Sequence, residues 1–177
     1  MLRKILVLVC LLFACTFSYA QSDVQGTFWG VPFGSSRERV LEEFSKHAKR
    51  EWDSSQIELY FKGGYFAGIK WDLIVARFYE GKFCAIHFVY LTNDQDDSLK
   101  KALSIHNKLN EKYSELCVSA EPKEYGYSCH FVGRSNDCMF IYKRDTDEHG
   151  ITDYYIDLIY GHISLTKRMF DLDNDEL

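Results

Sequence analysis

Residues 71–91 read WDLIVARFYEGKFCAIHFVYL, and this stretch decides the fold. Trp71 to Tyr79 and Phe83 to Leu91 are rich in β-branched and aromatic side chains, which fit a pleated, half-buried surface. Glu80-Gly81-Lys82 separates them, a length and composition that fit a hairpin turn. Phe83 to Leu91 is apolar at both parities. Neither face of that strand suits water, so it belongs in the middle of a sheet. The period of two continues outward. Upstream, Ile57, Leu59 and Phe61 alternate with Glu58, Tyr60 and Lys62. Downstream, Glu124 to Val132, Cys138 to Lys143 and Ile151 to Tyr160 read as strands, with a turn at Gly133 to Asp137. Asp145, Asp147 and Glu148 before His149-Gly150 mark another turn. Connections this short join antiparallel neighbours.

Two helices interrupt the strands. Gly34-Ser35-Ser36-Arg37-Glu38 opens the first, with Ser35 as the expected cap and Glu38 reaching back to it. Val40, Leu41, Phe44 and Ala48 then recur at helical spacing. The second follows Asn93 to Asp97, whose carboxylates favour the positive end of a helix dipole. Its expected buried stripe is Leu99, Ala102, Leu103, Leu109, Tyr113 and Leu116. His47 and His106 fall on the apolar sides of the two helices and read as packed, hydrogen-bonded imidazoles. The expected architecture is α+β: an antiparallel sheet with helices on one face, in the order of a tandem duplication. The two units run from about residue 29 to 91 and from 94 to 163.

The chain has 177 residues. Residues 1–20 have the layout of a signal peptide: basic Arg3 and Lys4, an uncharged apolar run from Ile5 to Phe17, and small residues at Ser18 and Ala20. Cleavage after Ala20 leaves a single α+β domain over 21–170 and an acidic tail over 171–177. Leu12-Phe13-Ala14-Cys15 offers a competing reading in which Cys15 carries a lipid anchor. Either way the expected destination is outside the cytoplasm, periplasmic, secreted or membrane-tethered. Losing Arg3 and Lys4 moves the net charge from −5 to −7. That balance argues against a nucleic-acid partner. No transmembrane segment is expected after cleavage. Asp171, Asp173 and Asp175 alternate like calcium ligands, but the loop glycine and distal glutamate are missing, so the tail reads as solvated.

Four cysteines remain after the leader: Cys84, Cys117, Cys129 and Cys138. In an oxidising compartment they imply a disulfide, and at least one bridge is expected among the last three. Their spacing supplies no zinc pattern, and no metal or cofactor is expected.

Trp29-Gly30-Val31-Pro32-Phe33-Gly34-Ser35-Ser36, followed by Val40, resembles openings of exported bacterial proteins. With the meander behind it, the chain is similar to an envelope family that includes small outer-membrane-assembly lipoproteins and β-lactamase inhibitory proteins. That resemblance implies helix-plus-meander units with helices on one sheet face and a partner protein on the other.

Three functions follow. The first is a non-catalytic protein-binding module of the envelope, using the open sheet face with Tyr60, Tyr79 and Tyr155. Tyrosine supplies rigid contact area and a hydroxyl to such surfaces. The second is a small-ligand carrier for a lipid or glycan fragment, with Trp29, Trp52 and Trp71 as candidate lining. The third is an enzyme with an unrecognised site. Cys84 with His87, and Cys129 with His130, place thiol near imidazole in sequence. An odd separation in a strand points each pair to opposite faces, so neither forms a local nucleophile and base.

Overall fold

A computed structural model describes residues 23–51, 56–123 and 126–168. The leader with Cys15 and the Ala20 cut, Trp52, Glu124 and the 171–177 tail lie outside the described residues. The fold is α+β, built on one antiparallel sheet of eight strands. Its first four strands, in spatial order, are β3 (Lys49–Arg50), β4 (Glu58–Lys62), β7 (Leu73–Tyr79) and β8 (Lys82–Thr92). Then come β12 (Thr152–His162), β11 (Asn136–Thr146), β10 (Gly126–Val132) and β9 (Cys117–Lys123). Two-residue pairs β1 (Thr27–Phe28) with β2 (Val31–Pro32), and β5 (Tyr65–Phe66) with β6 (Ile69–Lys70), stand apart from it.

The 71–91 stretch folds as its pattern requires. β7 and β8 form a hairpin in which Leu73 pairs with Val89 and Tyr79 with Lys82. Glu80 and Gly81 take the positive φ values, 48° and 71°, that a two-residue turn between twisted strands needs. β8 lies between β7 and β12, well inside the sheet. Each helix precedes a meander: α1 (Arg37–Phe44) before β4, β7 and β8, and α2 (Gln95–Tyr113) before β10, β11 and β12. The two meanders meet along the antiparallel β8–β12 seam. β9 has no counterpart in the pattern reading. It is an edge strand carrying Glu121 and Pro122, and an edge strand needs no apolar alternation to pair on one side.

Both helices pack on the same sheet face. α1 is capped by Ser36, whose hydroxyl accepts from the Arg39 N–H. Ser35, the expected cap, is instead held in the backbone: its N–H donates to Pro32 and its carbonyl accepts from Phe83. Val40 and Phe44 are buried, and Phe44 contacts the rings of Trp29, Phe61 and Phe83 at centroid distances of 4.8–5.6 Å. Phe66 stacks on Phe88 at 4.4 Å, and Phe28 touches Phe88, Phe83 and Tyr160. Such aromatic pairs contribute about 0.5–1.5 kcal/mol each beyond burial.

α2 is capped by Asp94, which accepts from the Asp97 N–H. Its buried stripe is Ser98, Ala102, Ile105, Leu109 and Tyr113. The expected stripe is therefore rotated: Leu99 and Leu103 are exposed, at 38% and 59%, and Ile105 takes a core place. Ser98 tolerates burial because its hydroxyl donates to the Gln95 carbonyl and meets the Tyr142 hydroxyl at 3.1 Å.

The expected disulfide is not formed; all four cysteines are free thiols. The ladder explains this. Cys129 lies opposite Phe140 and Ala120, Cys138 opposite Phe131 and Tyr160, and Cys117 opposite Phe131. Cys84 falls where the β7–β8 register shifts. No cysteine faces another, and diagonal neighbours on adjacent strands lie about 7–8 Å apart, beyond disulfide reach.

Candidate interaction surface

With α1 and α2 on one face, most of the other is left to the side chains of alternate strand residues. One row crosses seven strands: Tyr60, Val75, His87, Ile159, Met139, His130 and Ser119, each opposite the next. The row beside it runs Leu73, Val89, Asp157, Ile141 and Ser128. The centre of this open face is thus aliphatic and thioether, with Val75, Val89, Ile159, Met139 and Ile141. Charged and polar groups surround it.

Two histidine–aspartate pairs flank that centre. His87 Nε2 lies 3.1 Å from Asp157 Oδ1, and His130 Nε2 lies 3.1 Å from Asp137 Oδ2. Each joins diagonal neighbours on adjacent strands. Asp157 also meets Lys143 Nζ at 3.3 Å, and its side chain is only 9% exposed. Burial works against this carboxylate, yet His87 and Lys143 beside it hold its carboxyl below the ordinary value. At the β4 side, Arg77 Nε donates to Glu58 at 3.0 Å, and the Tyr60 hydroxyl donates to the same carboxylate.

The three candidate tyrosines lie on this face but do not converge. Tyr60 is opposite Val75, Tyr79 is at the β7–β8 turn opposite Lys82, and Tyr155 is opposite Leu91 and Lys143. From the register, Tyr60 and Tyr155 stand three strands and four residues apart, about 20 Å. Each is a rim residue. Tyr60 is tied to Glu58, and Tyr155 lies under the Lys143 ammonium, 5.0 Å from its ring centroid. The centre residues and both histidine–aspartate pairs escaped sequence reasoning. His130 with Asp137 was within reach of it, because the expected 133–137 turn brings the two onto neighbouring strands. His87 with Asp157 was not, since 70 residues separate them.

The chain returns to this face after β12. Residues 163–168 are helical, and Thr166 lines a hollow of about 200 Å3 with Arg77, Ala85, Asp137, Met139 and Ile159. Gly161 leaves room for that return: a Cβ there would come 2.7 Å from Asp137 Oδ1 and 3.2 Å from the Thr166 methyl, and would press on both side chains.

The other candidate residues occupy separate places. Trp71 is fully buried, its indole N–H donating to the Phe66 carbonyl at 3.2 Å. Trp29 stacks on the exposed His47 ring at 5.1 Å. His106 is half-buried, its Nε2 3.3 Å from the Tyr127 hydroxyl. Cys129 points to the buried face and its neighbour His130 to the open one. Burial pushes the Cys84 thiol up to about 11 and the Cys129 thiol to about 12, so both are protonated at neutral pH. Among the described residues no group of His, Cys, Asp and Glu side chains has the arrangement of a metal site. No helix there is long and apolar enough to cross a membrane. No protein-family model, curated protein or solved structure matches this chain.

Proposed function

We propose that this chain is an exported, non-catalytic protein-binding module of the bacterial envelope, and that the open sheet face is its contact surface. The observation that carries the reading is the aliphatic centre at Val89, Ile159, Met139 and Ile141, packed around the buried Val75 and framed by paired charges, on a face that neither α1 nor α2 covers and that residues 163–168 border at Thr166. An apolar centre with a polar rim is the layout of a specific contact surface. The helix-then-meander order of both halves supports the suspected kinship with helix-plus-meander envelope proteins, and a tandem duplication as its origin.

The test compares the two sides of the molecule. Envelope extracts are cross-linked to the mature chain, to Met139→Glu on the open face and to Leu103→Glu on α2. The reading expects the captured protein to survive Leu103→Glu and to be lost with Met139→Glu. Equal capture by Met139→Glu, or loss only with Leu103→Glu, overturns it.

A further inference from the structure

A cleft lies on the opposite side of the sheet, between α2 and the tip of the β5–β6 hairpin. Its volume is about 110 Å3, and its walls include Trp71, Ile105, Leu109, Tyr113, Leu158 and Tyr160. The polar atoms of these aromatic walls are already engaged. The Trp71 N–H donates to the Phe66 carbonyl, the Tyr113 hydroxyl accepts from the Gln25 N–H, and the Tyr160 hydroxyl is bonded to Cys138. The interior therefore offers only apolar surface to an occupant.

The mouth is different. Lys108 and Lys112 line it, four residues apart on α2 and so on one side of the helix. Like charges at that spacing repel one another. The Lys108 ammonium meets the Ala67 carbonyl at 3.3 Å; that of Lys112 meets the Gln25 side-chain oxygen at 3.5 Å and lies 5.0 Å from the Tyr113 ring centroid. Among the described residues neither forms an ion pair. Two unneutralised cations above an apolar, aromatic-walled slot select an anion with a short apolar body. At about 110 Å3 the cleft is smaller than the apolar cavity of about 150 Å3 that accepts benzene, so it takes one planar ring at most, and part of that ring stays in the open mouth.

We propose that this cleft binds a small aryl carboxylate, ring inward and carboxylate between Lys108 and Lys112. The site is separate from the open face, so its failure leaves the protein-binding reading standing.

The experiment titrates the mature chain with phenylacetate, 2-phenylethanol and phenethylamine, which share a ring and differ in charge. The readout is the Trp71 indole N–H resonance, with Trp29 as the internal control. The expected result is saturable movement of the Trp71 signal, with phenylacetate at least about tenfold tighter than the alcohol and the amine weakest. The double variant Lys108→Gln/Lys112→Gln keeps the melting temperature and brings acid and alcohol within about twofold of each other. Three outcomes overturn the proposal: equal affinity for all three probes, a shift at Trp29 without one at Trp71, or undiminished preference for phenylacetate in the double variant.

Discussion

The core under the C-terminal end of α1 is sealed, although a hollow of about 620 Å3 lined by Arg37, Glu38 and Phe78 lies at its start, and the core under α2 is not sealed. α1 is only eight residues long, but Trp29, Phe61 and Phe83 close around its Phe44, and the sheet edge beyond it is the two-residue, doubly basic β3. α2 has 19 residues and packs on β8 and β12, near the middle of the sheet. On its outer side Leu99 and Leu103 face Tyr127, Phe140 and Tyr142 across a groove of about 350 Å3. The edge beyond is the seven-residue β9, with Val118 62% exposed. A short basic edge resists pairing with another chain; β9 is longer, and Glu121 and Pro122 blunt its second half while Val118 leaves the first half open. Helix length thus says little about how well a helix closes a core. What closes it is whether large side chains from the flanking segments fill the space at its sides.

The largest expected effect breaks the sealed half. Phe44→Ala leaves a hole among three aromatic rings and costs about 3–5 kcal/mol in urea unfolding. Leu103→Ala, on the open half, stays within about 0.5 kcal/mol of the parent. Similar losses from the two substitutions would show that α2 is sealed as well.

Asp157→Asn tests the seam between the halves. It removes the carboxylate shared by His87 and Lys143 and costs about 1–3 kcal/mol at pH 6. The pH dependence has a definite sign. A carboxyl held below its ordinary value in the folded state stabilises above about pH 4, and that contribution fades as pH falls through the folded value. The difference between parent and Asp157→Asn should therefore shrink below about pH 4. A gap that persists at pH 2 would mean that the carboxylate charge is not the cause.

Smaller effects sharpen the contrast at the wing. Leu103→Glu should leave stability within about 0.5 kcal/mol of the parent and reduce binding of an apolar fluorescent dye to the groove. Unchanged dye binding would place the exposed apolar surface elsewhere. Val118→Lys should leave the melting temperature unchanged and lower self-association at high concentration, measured by light scattering. In native thiol labelling Cys117 should react first, and Cys84, Cys129 and Cys138 only on unfolding.

Much of the fold was legible because its signals are local. The apolar character of 83–91 places β8 inside the sheet, and Glu80-Gly81 sets the hairpin, whatever the rest of the chain does. The α1 start shifted by one residue because the two serines compete as caps and a backbone bond to Phe83 decides between them. β9 was illegible because an edge strand with Glu121 and Pro122 carries no apolar alternation. The centre of the open face was illegible too. Met139 and Ile159 become neighbours of His130 and His87 only through ladder register.

By itself the sequence determined an antiparallel α+β architecture, the approximate places of α1 and α2 and a central β7–β8 hairpin, since periodicity and turn chemistry act over a few residues. Only the tertiary structure decided which stripe of α2 is buried, why no cysteine meets another, where two histidines find their aspartates, and that Lys108 and Lys112 stand over an apolar cleft. Each of these depends on how strands register and on where a helix axis lies across a sheet. Those relations are set by packing between segments distant in the chain, and no local pattern encodes them.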